Sequence, residues 1–146
     1  MAAEKHASVT WRGDLPTGAG QIVRVGSGAF GPLAVSWAAR TGEEDHGKTS
    51  PEELIAAAHA SCYSMAFSND LSKAGTPSES LEVSAVVTFV PGTGITTSAL
   101  DVVGRVPGID EAAFLEAAEK AKENCPVSKA LKGNVELSVT ARLAGS

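Results

Sequence analysis

The feature that most constrains this chain is one long helical segment that is rich in alanine and almost free of charge. Ser50 can cap it, Pro51 suits the first helical position, and Glu53 completes a capping box. The glycine and proline that follow Ala74 end it. Between Glu53 and Asp70 the segment has no charged residue, which is untypical of an exposed helix. We therefore predict a central, buried helix.

The remaining segments alternate between short strand patterns and two further helices. The predicted strands are residues 7–11, 21–25, 33–39, 81–90, 96–106 and 135–143. The further helices are residues 110–123 and 126–131. This order predicts an α+β protein in which a mostly antiparallel sheet packs on the long helix, as one domain over residues 1–146.

Composition limits the partners of such a domain. The chain has 24 alanines and 7 aromatic residues, so its core is short of large side chains and we expect part of the burial to occur between subunits. The net charge of −5 is spread without a basic stripe, which argues against nucleic-acid binding.

No segment is expected to enter or cross a membrane. The longest central apolar stretch, residues 54–58, is far shorter than the roughly 20 residues that span a bilayer. The N-terminus lacks the pattern of a signal peptide, and we expect a cytoplasmic protein.

The two cysteines, Cys62 and Cys125, are 63 positions apart. They form neither a Cys-x-x-Cys motif nor a set with the spacing of zinc ligands. Two interpretations stay open. They are two buried small hydrophobic residues, or they are a redox couple that the fold brings together.

The surroundings of the two cysteines differ. Cys125 directly precedes Pro126 and so lies at or next to a helix N-cap, where backbone N–H groups would stabilise a thiolate; alternatively it only packs in a tight turn. Cys62 lies within the apolar helix, where burial raises the pKa of a thiol. A catalytic Cys62 therefore needs a cation from elsewhere.

Arg40 is the most plausible source of that cation, because it ends the third predicted strand before the long helix, although a lone arginine there is more often solvated. Glu52 lies ten residues before Cys62, about 15 Å along a helix. Glu52 could share a site with Cys62 only through a bridging arginine, or if it came from a partner subunit.

Two histidines offer weaker alternatives. His46 and His59 with Cys62 would make an incomplete zinc set, and His59 with Cys62 could form an acyl-transfer pair. A packed, hydrogen-bonded core role is the more typical one for His59.

Four motifs together resemble the family of osmotically induced proteins (OsmC) and organic hydroperoxide resistance proteins (Ohr). In chain order they are WRGD at 11–14, TSPEELIAAAHASCYSMA at 49–66, VPGID at 106–110 and AKENCPVS at 121–128. The likeness covers essentially the whole chain, and His59 with the VPGID motif resembles the OsmC branch.

The resemblance implies a thiol-dependent peroxidase that reduces organic hydroperoxides, built as an intertwined homodimer with two active sites at the subunit interface. It implies that Cys62 is the peroxidatic thiolate and Cys125 the resolving cysteine. Arg40 would be the activating cation, oriented by Glu52. No metal or bound cofactor is implied, and an external dithiol, a dihydrolipoyl group or lipoylated protein, would regenerate the enzyme.

Three further expectations complete the sequence analysis. An apolar wall of Ala58, Met65 and Phe67 would favour organic peroxides over hydrogen peroxide. A non-catalytic redox-sensing or binding module could use the same cysteine couple. An acyl-transferring Cys-His hydrolase ranks last, because the chain lacks a glycine-rich oxyanion turn.

Overall fold

A computed structural model describes residues 1–42 and 45–145; Glu43, Glu44 and Ser146 lie outside the described residues. In chain order the elements are β1 Ala7–Arg12, β2 Ala19–Val25, β3 Leu33–Val35, α1 Trp37–Thr41, α2 Pro51–Lys73, β4 Ser80–Val90, β5 Gly94–Arg105, α3 Glu111–Asn124, α4 Pro126–Leu131 and β6 Glu136–Leu143. The chain divides into two compact units, Met1–Leu54 and Ile55–Ser146.

The strands form two three-stranded sheets rather than the single sheet expected from the sequence. The first has the order β1-β2-β3 and is antiparallel throughout. The second has the order β4-β5-β6, with β4 antiparallel and β6 parallel to the central β5. The predicted α+β class with mostly antiparallel pairing is confirmed.

The first unit buries few large side chains. Among its described residues the buried hydrophobic side chain is Ile22 on β2. Val9 and Trp11 on β1 keep 60% and 40% of their surface exposed, and every residue of β1 is exposed. The strands of this sheet are paired along their backbones, but the sheet buries little apolar surface within one chain.

The third strand ends at Val35, so the prediction of a strand over residues 33–39 is wrong at its C-terminal half. The Ser36 hydroxyl accepts a hydrogen bond of 3.0 Å from the backbone N–H of Ala39 and starts α1. A serine cap followed by alanines favours a helix, and this local signal outweighs the alternating pattern. Arg40 accordingly lies in the last turn of a short helix, not at a strand end.

Helix α2 begins as predicted, since the Ser50 hydroxyl accepts a 3.2 Å hydrogen bond from the Glu53 N–H. Its burial is not as predicted. One stripe with a spacing of four residues is fully buried: His59, Tyr63, Phe67 and Leu71. Met65, on another face, is 69% exposed. Within one chain the helix is therefore buried along one stripe only, and its small apolar residues leave the other side uncovered.

The buried stripe of α2 packs in the core of the second unit. Three aromatic rings form a row of contacts, with centroid distances of 5.6 Å from Tyr63 to Phe67 and 5.2 Å from Phe67 to Phe114 on α3. The Tyr63 hydroxyl donates a 2.9 Å hydrogen bond to the Ala118 carbonyl. A Cβ at Gly104 on β5 would lie 2.6 Å from the Phe114 ring, so this glycine makes room for the aromatic packing.

The C-terminal helices form close to where the sequence predicts them. Asp110 caps α3 by accepting a 2.8 Å hydrogen bond from the Ala113 N–H. Pro126 occupies the first turn of α4. Within the described ranges, no helix combines the length and apolarity needed to cross a membrane.

Candidate functional site

The second unit brings the two cysteines together. Both thiols are free, and Cys62 packs against the core cluster that contains Cys125, close enough for the Cys125 thiol to raise the pKa of Cys62. Cys125 is fully buried, whereas Cys62 on α2 is partly exposed. Burial of Cys125 agrees with the first interpretation that the sequence left open, and the nearness of the two residues is what the second one, a redox couple, requires.

Cys125 lies at the corner between α3 and α4. Its N–H donates a 2.9 Å hydrogen bond to the Ala121 carbonyl, and its own carbonyl accepts one of 3.0 Å from the Lys129 N–H. It is the N-cap residue of α4, so its predicted place at a helix N-cap is confirmed. Backbone hydrogen bonds on both sides hold the residue in place.

The environment of Cys62 works against a thiolate within one chain. Burial raises the pKa of the Cys62 thiol, and so does the neighbouring Cys125 thiol. The backbone N–H of Val127 acts in the opposite direction by hydrogen bonding to the sulfur. The direction of this pKa shift agrees with the apolar surroundings that the sequence predicts for Cys62.

The first unit contains an arginine held by a buried carboxylate. The Arg40 Nε donates to both carboxylate oxygens of Glu52, at 2.7 Å and 3.2 Å. The Glu52 side chain is 7% exposed and that of Arg40 is 30% exposed. The Arg40 guanidinium also lies over the Trp37 ring, 5.9 Å from its centroid. The fold thus provides the arginine–glutamate pair that the family resemblance implied.

An apolar cavity of about 470 Å³ adjoins this pair, and sequence reasoning missed it. Its lining includes Arg40 and the apolar side chains of Val9, Trp11, Leu15, Ile22, Trp37 and Leu54. The prediction that Ala58, Met65 and Phe67 form an apolar wall on α2 is wrong. Phe67 is completely buried in the core and Met65 is mostly exposed, because they lie on different faces of the helix. The alternating apolar residues of β1 and β2 were the available signal.

His59 is a packed core residue, as predicted, but its partners were not foreseen. Its ring is completely buried, with Nδ1 hydrogen-bonded to Ser98 Oγ at 2.6 Å and Nε2 to Ser128 Oγ at 2.8 Å. Burial lowers the pKa of His59 and favours the neutral ring. Since serines bond both ring nitrogens, the acyl-transfer pair with Cys62 is disfavoured.

In the part of the chain that the structure describes, no three His, Cys, Asp or Glu side chains are grouped so as to hold a metal ion. The four candidate residues that the sequence predicts form two pairs in the structure. Arg40 and Glu52 lie in the first unit, and Cys62 and Cys125 in the second.

Comparison with known proteins covers almost the whole chain. The family model described as OsmC-like protein matches residues 42–140. Peroxiredoxin OsmC of Escherichia coli (strain K12) is 39% identical over 140 residues, which is 94% of this chain and 96% of that protein. An organic hydroperoxide resistance protein of Xanthomonas axonopodis pv. citri is 33% identical over 95 residues, covering 63% of this chain and 66% of that protein.

Solved structures agree on the fold. The organic hydroperoxide resistance protein OhrB of Bacillus subtilis superimposes with a TM-score of 0.65 at 23% identity, over 94% of this chain and 98% of that one. An OsmC-like protein from Mycoplasma pneumoniae gives a TM-score of 0.70 at 15% identity, over 99% of this chain and 100% of that one.

Proposed function

The chain belongs to the OsmC/Ohr family, and we propose that it is a thiol-dependent peroxidase that reduces organic hydroperoxides to alcohols. The observation that carries the proposal is the pair of free cysteines: the partly exposed Cys62 lies beside the buried Cys125 in one core cluster. Relatives named peroxiredoxin and organic hydroperoxide resistance protein support the same chemistry.

In the first step Cys62 attacks the hydroperoxide. The thiolate sulfur bonds to the terminal oxygen, the O–O bond breaks, and the alkoxide takes up a proton and leaves as the alcohol. Cys62 is then a sulfenic acid. Cys62 suits the peroxidatic role better than Cys125, because its side chain is partly exposed whereas that of Cys125 is fully buried.

In the second step Cys125 resolves the sulfenic acid. Its sulfur attacks Cys62, the S–O bond breaks, and water leaves as the Cys62–Cys125 disulfide forms. An external dithiol, such as a dihydrolipoyl group, then reduces this disulfide by two exchange steps and becomes a disulfide itself. This cycle needs no metal and no bound cofactor.

Arg40 and Glu52 would provide the charge that Cys62 lacks. Because burial raises the pKa of the Cys62 thiol, a guanidinium beside it is needed to favour the thiolate. The buried Glu52 carboxylate holds Arg40 by its Nε, which orients the guanidinium.

We propose that a homodimer completes the site. Exposed apolar side chains such as Trp11, Phe30 and Met65 offer surface for a second subunit.

The cavity beside Arg40 supports an organic substrate. It measures about 470 Å³ and is lined mainly by aromatic and aliphatic side chains. Such a lining stabilises an alkyl or aryl group by burying apolar surface, and it offers little to hydrogen peroxide. The proposed preference is therefore for hydroperoxides that carry an apolar group.

The test is turnover of cumene hydroperoxide and of hydrogen peroxide with reduced lipoamide as donor. We expect faster turnover of the organic substrate, and Cys62→Ser to lower it by about 1,000-fold or more, because the nucleophile is lost. Cys125→Ser is the matched control: it should still consume one equivalent of peroxide and accumulate the sulfenic acid. Oxidation of the wild type once, without turnover, would favour the redox-sensing alternative instead.

A further inference from the structure

We propose that His59 is a positioning residue for disulfide formation, which through Ser128 holds Cys125 against the helix that bears Cys62. The proposal rests on the proposed peroxidase function. It concerns the second step alone and assigns His59 no contact with the substrate.

The position of the hydrogen bond carries the argument. His59 lies one helical turn before Cys62 on α2, and Ser128 lies three residues after Cys125 on α4. The 2.8 Å bond from His59 Nε2 to Ser128 Oγ therefore joins the two cysteine-bearing elements close to the thiols. It is a side-chain link between segments that are far apart in the sequence.

The other ring nitrogen anchors the link to the sheet. His59 Nδ1 is hydrogen-bonded at 2.6 Å to Ser98 Oγ on β5, the central strand of the second sheet. With both nitrogens engaged, the imidazole can neither rotate nor shift without losing a hydrogen bond. The ring thus ties α4 to α2 and to the sheet at once.

Burial removes the polar groups of this network from water, and their hydrogen bonds offset that cost. His59 and Ser98 are fully buried and Ser128 is 2% exposed, next to an otherwise apolar core. Apolar side chains would fill the same space without desolvating polar groups. A fully satisfied buried polar network restricts the packing to one arrangement, which apolar contacts alone do less well.

The resolving step requires that the positions of the two cysteines relative to each other be restricted. Condensation needs the two Cβ atoms about 3.8 Å apart, and misplacement by about 1 Å can slow a reaction about 100-fold. Helix α4 has six residues, and Cys125 lies at its start. Backbone hydrogen bonds fix Cys125 relative to α3 and α4, and the Ser128 anchor limits how far this corner can move from Cys62 on α2.

The experiment compares Ser128→Ala with the matched control Ser72→Ala, an exposed serine near the end of α2. After one equivalent of cumene hydroperoxide, alcohol formation should stay within about twofold of wild type. Disulfide formation in Ser128→Ala should slow about tenfold, with more dimedone-trapped sulfenic acid. Ser72→Ala should match wild type in both steps.

A second measurement does not depend on peroxidase activity. In glutathione redox buffers, the equilibrium constant for the Cys62–Cys125 disulfide should fall about tenfold in Ser128→Ala and in His59→Gln. Ser98→Ala should have a smaller effect, since it leaves the bond to Ser128 in place. Circular dichroism checks that each variant is folded.

The outcomes separate the two proposals. A wild type that does not reduce the hydroperoxide overturns the proposed function. Normal turnover together with an unchanged disulfide rate and equilibrium in folded Ser128→Ala overturns the positioning role. If neither Ser128→Ala nor His59→Gln folds, the network serves stability and the positioning role is likewise overturned.

Discussion

The two units of this chain differ in how they hold their functional residues. In the second unit Cys125 belongs to an aromatic and aliphatic core, Cys62 packs against it, and burial raises the pKa of Cys62. In the first unit little apolar surface is buried, and Arg40 is held by the Glu52 carboxylate beside a cavity. Packing thus positions the thiols, whereas a charge pair positions the cation.

Neither pair suffices by itself for the proposed reaction. Two neighbouring thiols can form a disulfide, but burial around Cys62 disfavours the thiolate that starts the reaction. A guanidinium held by a carboxylate supplies positive charge but no nucleophile. The proposed peroxidase needs both, and substitutions in the first unit should therefore change the chemistry of a cysteine in the second.

Arg40→Ala should have the largest effect of this kind. We expect Cys62 oxidation by cumene hydroperoxide to slow about 100-fold, because an oriented cationic donor is lost. The apparent pKa of Cys62, measured from the pH dependence of its alkylation, should rise. Arg12→Ala on the exposed β1 is the control and should behave as wild type. An unchanged Cys62 pKa in Arg40→Ala would show that the Arg40–Glu52 pair does not activate Cys62.

Glu52→Gln should have an intermediate effect. The amide keeps an oxygen that can accept from Arg40 but loses the charge and the two-oxygen contact, so the guanidinium is less well oriented. We expect about a tenfold slower first step in a single-turnover assay, with the Cys62–Cys125 redox equilibrium unaffected. Glu53→Gln is the matched control, since its neighbouring carboxylate accepts from Thr49 instead.

The smallest expected effect concerns stability and is confined to the second unit. Burial lowers the pKa of His59 in the folded chain, so below about pH 6.5 the unfolded chain takes up a proton that the folded chain does not. The free energy of unfolding should therefore fall as pH decreases through 6.5, by at most about 1.4 kcal/mol per unit from this residue.

Urea unfolding of folded variants at pH 7 and pH 5.5 measures that contribution. His59→Gln should lose part of the acid sensitivity, whereas the exposed His6→Gln should keep it. Equal pH dependence in the two variants would mean that the buried ring titrates alike in the folded and unfolded chains.

Local chemistry explains what could be predicted from the sequence. The start of α2 at Ser50-Pro51 and of α4 at Pro126 depends on a cap and on the proline ring, which act within one turn. Capping also explains why the predicted strand over residues 33–39 is too long: the Ser36 hydroxyl caps α1, so the strand ends at Val35. Cys62, Cys125 and Glu52 were identified from motifs and Arg40 from its place before the long helix, and the roles of all four remain predictions.

Tertiary structure alone decided which side chains meet. Cys62 and Cys125 are 63 positions apart, and their nearness depends on how α2, α3 and α4 pack, which no local pattern encodes. The same holds for Ser98 and Ser128, which are ordinary serines in the sequence and become the partners of a buried histidine only in the fold. Caps and helix starts are decided within one turn, whereas a redox pair and a buried network form only when distant segments share a core.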